Sequence, residues 1–169
     1  YYQHSHDVPK AIRAYEKAIE VKKDDPVYYA ELDPLYEMNN TPVEKRAKLF
    51  EAKNEIVKQR DDSFVREIIV LNLAGQSDKA VEYLNKSNFH FREGSSRVRD
   101  ITVDAHLLLG KKYLAEKKYE QALEQFLSVV ESPENSITTD RTGDIRSPQI
   151  NYYIGLIYEA LGDKANSKL

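Results

Sequence analysis

One short pattern occurs twice in the second half of the chain, as Leu109-Gly110-Lys111-Lys112-Tyr113 and Ile154-Gly155-Leu156-Ile157-Tyr158. In each, an aliphatic residue precedes a glycine and a tyrosine follows the glycine three places later. Both copies sit in stretches whose apolar residues recur every three or four positions, the period of a helix with one buried face. Glycine inside a helix costs about 1 kcal/mol relative to alanine, so its use twice in one setting calls for a packing reason. A residue without a side chain lets a second helix approach closely, and an aromatic one turn on fills the gap beside it. The chain supplies that second helix after Gly110, where Ala122 and Phe126 place a small residue and an aromatic four apart in "YEQALEQFLSVV".

The rest of the chain carries the same period. "PKAIRAYEKAIEV" puts Ala11, Ala14, Tyr15, Ala18 and Val21 on one face. Asp25-Pro26 fits an N-cap followed by proline at the first helical position. Thr41-Pro42-Val43-Glu44 reads as a capping box, and Ser147-Pro148 repeats the proline device. Gly75 and Gly162 follow apolar stretches, where a left-handed residue ends a helix. The helices expected are therefore 8–23, 26–39, 42–60, 62–74, 77–87, 100–116, 118–131 and 147–161, with another starting near 163. Pro34 falls inside the second; since Tyr29, Leu32 and Tyr36 continue the stripe, a kink is expected rather than a break. Residues 88–100, "NFHFREGSSRVRD", are expected to connect two hairpins, with Phe89 or Phe91 packed beneath them, a turn at Gly94-Ser95-Ser96, and Asp100 as the next N-cap.

The L-G-x-x-Y and A-x-x-x-F pair resembles the two helices of the tetratricopeptide repeat (TPR), and the resemblance covers most of the chain. It implies an all-α fold, a right-handed superhelix of antiparallel helix pairs (an α-α solenoid), in which each hairpin covers the apolar face left open by its neighbour. The repeat-packing positions are then Phe64, Leu71, Gly75, Ala80 and Leu84 in one repeat, Leu109, Gly110, Tyr113, Ala122 and Phe126 in the next, and Gly155 and Tyr158 in the last. Ile68 and Asp33 stand where glycine is usual, and Lys45 where alanine is. The resulting boundaries are a partial repeat at 1–24, repeats at about 25–61, 62–99 and 100–146, and a partial repeat at 147–169. The start at Tyr1 and the open terminal repeats suggest a fragment of a longer protein. Uncapped ends of this kind predict self-association that buries Tyr152, Tyr153 or Tyr158.

Composition narrows the function. A net charge of −3 argues against a general nucleic-acid binder, which gains affinity by neutralising phosphates, so Arg92, Arg97 and Arg99 are not read as an RNA site. No apolar run approaches the roughly 18 residues of a membrane span. With no cysteine, thiol nucleophiles and Cys-based zinc sites are excluded. His4-Ser5-His6 has no third ligand nearby, His106 stands at an aromatic packing position, and Asp140–Asp144 lacks calcium-loop spacing. No P-loop, nucleophile elbow, H-E-x-x-H or dinucleotide fingerprint occurs. No catalytic residue, metal or cofactor is expected.

What the resemblance offers is a concave groove lined by the first helix of each repeat. The groove positions are Ala30/Pro34, Val65/Ile69, Leu107/Lys111 and Tyr152/Leu156, of which only Lys111 suits a carboxylate, so a clamp for a peptide's C-terminal carboxylate is not expected. Val65, Ile69, Leu107, Tyr152 and Leu156 would make an apolar groove, with Asn72, Lys111 and Glu159 setting specificity. The expected function is a non-catalytic scaffold that binds a peptide segment or partner domain; burial of these residues by closure of the superhelix is the alternative. Phe89, His90, Glu93, Gly94, Pro133, Glu134 and Asn135 also resemble the helical region of large bacterial proteins that carry a β-rich domain of unassigned function. That likeness implies a second role, as a structural accessory to a larger bacterial protein whose β-rich folds point to carbohydrate chemistry; the sequence does not fix the compartment, with a lean to the bacterial cytoplasm.

Overall fold

The computed structural model describes residues 7–87, 89, 95–130, 147–163 and 166. His4-Ser5-His6, Arg92-Glu93-Gly94, Pro133–Asn135 and Asp140–Asp144 lie outside them. All regular structure among the described residues is helical. The chain divides into two compact units, Tyr1–Gln76 with Asn88–His90, and Ser77–Ser87 with Phe91–Leu169. The division falls inside the span expected as one repeat, 62–99.

The first unit holds α1 (Val8–Val21), α2 (Pro26–Met38), α3 (Val43–Glu51), α4 (Asn54–Val57) and α5 (Asp61–Leu73). Helix α1 packs on α2, and α5 packs on α2, α3 and α4. Asp25 caps α2 as expected: its carboxylate accepts the Val27 amide at 3.2 Å, and Pro26 follows at the first helical position. Helix α2 runs unbroken through Pro34. Tyr29, Leu32, Leu35, Tyr36, Phe50, Val57, Phe64, Ile68, Val70 and Leu71 form the core. Half-buried Phe89 stacks on Phe64 at 5.8 Å between ring centroids, the packing expected of it; Phe91 lies outside the described residues.

Two expectations fail here. The helix expected over 42–60 is interrupted at Ala52-Lys53, where Lys53 adopts φ −134°, ψ 16°. The Asn54 side-chain Nδ2 donates to both carboxylate oxygens of buried Glu67 at 2.8 Å. A buried carboxylate needs donors, and reaching it resets the register of the second half. The capping box at Thr41-Glu44 also does not form. Pro42, whose ring has no acceptor, occupies the N-cap of α3, and the Thr41 N–H that the box would use is committed to the Tyr36 carbonyl at 2.8 Å, closing the end of α2.

The second unit holds α6 (Ser77–Lys86), α7 (Ser95–Ala115), α8 (Tyr119–Val130) and α9 (Ser147–Ala160). They pack in sequence, α6 on α7, α7 on α8 and α8 on α9. Val103, Leu107, Ala122, Phe126, Ile150, Ile154 and Ile157 form one core, with Tyr113, Leu114, Tyr153 and Tyr158 around it. Gly110 shows the close approach inferred for it: a Cβ there would lie 2.8 Å from Cε1 and Cζ of Phe126. Helix α7 starts five residues before the expected Asp100, so Ser95 and Ser96 are helical and Asp100 is not an N-cap. Val98, Ile101 and Ala105 lie one turn apart; burial of Ile101 and Ala105 extends the packed stripe backwards.

Four helices end alike. After α2, α5, α7 and α9 comes a residue with positive φ: Asn40 (51°), Gly75 (72°), Lys117 (58°) and Gly162 (79°). In each, the next amide reaches back to a carbonyl five residues earlier, at 2.8–2.9 Å (Thr41 to Tyr36, Gln76 to Leu71, Lys118 to Tyr113, Asp163 to Tyr158). This is the Schellman closure, expected at the two glycines and also made by Asn40 and Lys117.

Candidate functional site

The most exposed positions of the expected groove, Lys111, Tyr152 and Glu159, lie on α7 and α9. Residues 152–158 of α9, "YYIGLIY", span nearly two turns with no polar side chain beyond tyrosine hydroxyls. Ile150, Ile154 and Ile157 turn into the core. Tyr152, Leu156 and Glu159, at i, i+4 and i+7, share the opposite face, where Tyr152 is 62% exposed and Leu156 half-buried. Tyr153 lies between the two faces. Its ring stacks on Phe126 at 5.3 Å and 11°, and Tyr152 leans against it at 5.8 Å. From α7 the Lys111 ammonium sits over the Tyr153 ring, 5.8 Å from its centre. Leu108, also on α7, is exposed and was not anticipated. Neither Lys111 nor Glu159 has an ion-pair partner among the described residues.

The remaining groove positions divide by burial. Leu107 is 8% exposed and Val65 3%, so both are core residues rather than groove lining. Leu107 belongs to the cluster with Val103, Phe126 and Ile154. Val65 is enclosed because α5 is packed by α2, α3 and α4, which bury every residue from Ser63 to Ile68. Ile69 and Asn72 are partly exposed, and the Asn72 Oδ1 is sealed from solvent without a hydrogen-bond partner among the described residues.

The sequence reading missed a buried charge cluster in the first unit. Asp33 on α2 is fully buried and accepts from Arg46 of α3, Nε at 2.8 Å and Nη2 at 3.0 Å, and from Arg66 Nε of α5 at 2.7 Å. Arg66 Nη2 also bonds Glu37 at 2.7 Å. Burial opposes the charge on Arg46, but the Asp33 hydrogen bonds and charge keep its pKa above the ordinary guanidinium value. The cluster explains why Asp33 replaces the usual glycine: the position takes two arginines instead of a close helix. Its sequence signal was Asp33 within the Tyr29-Leu32-Tyr36 stripe, together with Arg66 inside the apolar run "FVREIIV". A neighbouring group joins three helices at the surface, where the Tyr36 hydroxyl and Lys45 both donate to Glu16, at 2.6 and 3.0 Å. Burial would raise the Glu16 carboxyl, but these donors hold it below the usual range.

His106 is a packing residue, 6% exposed, with Nδ1 2.9 Å from the Gln125 amide oxygen. Burial pulls its pKa below the ordinary imidazole value despite that bond. No group of three or more potential metal ligands occurs among the described residues, and no described helix is long and apolar enough to cross a membrane.

No family model matches the sequence. Solved structures do resemble the fold. YrrB, described as a TPR protein with an unusual peptide-binding site, superposes with a TM-score of 0.61 at 19% identity, over 98% of this chain and 75% of its own. MamA superposes with a TM-score of 0.60 at 17% identity, over 98% of this chain and 85% of its own. Joined to the Leu109-Gly110-x-x-Tyr113 and Ala122-x-x-x-Phe126 spacing and to the Gly110–Phe126 approach, these likenesses establish an all-α fold of the tetratricopeptide-repeat kind.

Proposed function

We propose that the chain is a non-catalytic protein-interaction module whose binding face on the second unit is built from Leu108, Lys111, Tyr152, Leu156 and Glu159. The observation that carries the reading is the exposure of Tyr152 in a helix segment apolar all round. A helix of that composition is normally enclosed, and a contiguous apolar patch on a soluble surface marks a contact site. Aromatic rings that lose little rotamer entropy are favoured at such contacts. The likeness to a peptide-binding TPR protein supports a peptide or protein occupant.

A displayed peptide library selected on the purified chain tests this. Selected peptides are expected to shift backbone amide NMR signals at 108–112 and 152–159, and to lose affinity about tenfold or more when Tyr152 becomes alanine, as for a contact hot spot. Selection of no peptide, or of peptides that shift only the opposite, α8 side, would overturn it.

A further inference from the structure

We infer that the α9 face is self-complementary and pairs two copies of this chain around a two-fold axis near Leu156. The inference rests on reading that face as a protein-binding surface and names its occupant.

Its basis is the placement of two charges on either side of one apolar strip. The Lys111 ammonium lies 5.8 Å from the centre of the Tyr153 ring, at the N-terminal half of the exposed stretch of α9. Glu159 stands at the other end, six residues beyond Tyr153 or about 9 Å along the helix axis. Leu156 is midway, flanked by the exposed Tyr152. An isologous contact brings residue i of one copy to residue j of the other and j to i. With two α9 helices antiparallel and Leu156 at the crossing, Tyr152 covers the partner strip, and Lys111 of each copy meets Glu159 of the other. Both charges are exposed and have no ion-pair partner among the described residues. Glu159 is also unfavourably placed within its own helix. It lies in the last turn of α9, which carries no basic residue, and the carbonyl end of a helix disfavours an acid. A facing ammonium relieves that repulsion, and a neutral apolar partner does not.

Sedimentation velocity of the 169-residue chain, from micromolar to near-millimolar concentration, provides the test. The expected result is a concentration-dependent rise from the 19.5 kDa monomer to twice that mass. K111E and E159K each place like charges at both symmetric contacts and are expected to weaken pairing about tenfold or more. The double reversal K111E/E159K restores it, because the pairs re-form with opposite sign. Both positions are exposed, so far-UV circular dichroism is expected to match the wild type in all three variants. A wild-type monomer across the range overturns the inference, as does a dimer that neither single reversal weakens or that the double reversal fails to restore. A monomer that still binds selected peptides at residues 108–112 and 152–159 retires the pairing alone; a dimer for which no peptide is selected retires only the peptide-binding reading.

Discussion

Replacing Asp33 by asparagine leaves two buried guanidiniums facing an amide of nearly the same shape. In the wild type the carboxylate takes three hydrogen bonds from Arg46 and Arg66, with the arginines almost as buried as the aspartate. Asparagine can accept on its oxygen alone, and its NH2 turns a donor towards donors. Glu37, half-exposed in its side chain, remains beside Arg66 but does not reach into the site to replace the lost charge. Breaking a buried pair in this way costs about 3–5 kcal/mol, against a total of about 5–15 kcal/mol for an ordinary domain. Urea unfolding followed at 222 nm should show the loss as a lower midpoint, and hydrogen exchange should place the greatest loss of protection in α2, α3 and α5. A companion variant sharpens the test. Asp33→Leu with Arg46→Met and Arg66→Met removes charge and partners together and is expected to be neutral or more stable by about 1–4 kcal/mol, since the desolvation cost disappears. A loss below about 1 kcal/mol for D33N, the value of an exposed pair, would refute the reasoning, because it would mean that the cluster is not desolvated.

Three further outcomes can be measured in the same way. Gly110→Ala gains about 1 kcal/mol of helix propensity but drives a methyl into Phe126, whose ring is held by Tyr153; overpacking of about 1–3 kcal/mol wins, and thermal melting should show a net loss on the order of 1 kcal/mol. Lys117→Gly relieves a left-handed residue at φ 58° and should stabilise by about 0.5–1 kcal/mol, while no gain in the urea midpoint would contradict the strain. His106 has a folded pKa below its unfolded one, so the unfolded state takes up the proton more readily and stability falls as pH drops through about 6.5, with no effect above it. From neutral pH to about pH 5.5 the wild type should therefore lose more stability than H106Q, by at most about 1.4 kcal/mol per pH unit; equal slopes would show that the ring is not desolvated.

The parts of the fold legible in the sequence were those written in short-range spacing. The glycine–tyrosine step at 110–113, the Asp25-Pro26 start and the Gly75 and Gly162 ends each involve residues within one or two turns. The Schellman ends at Asn40 and Lys117 were not legible, because neither residue type marks the left-handed conformation as glycine does. The errors had tertiary causes. The interruption at Ala52-Lys53 follows from Asn54 reaching Glu67, and the lost capping box from Thr41 closing the preceding helix.

For the candidate site, periodicity put Lys111, Tyr152, Leu156 and Glu159 at first-helix positions, but it could not distinguish exposed Tyr152 from buried Leu107. Sequence by itself determined the helical repeat, because a 3.6-residue period and a small residue opposite an aromatic are local properties of a chain. Only the tertiary structure decided which apolar residues stay open and that Asp33 joins Arg46 and Arg66 across 13 and 33 residues. Burial and charge pairing depend on which helices meet, and no spacing along a single helix carries that information.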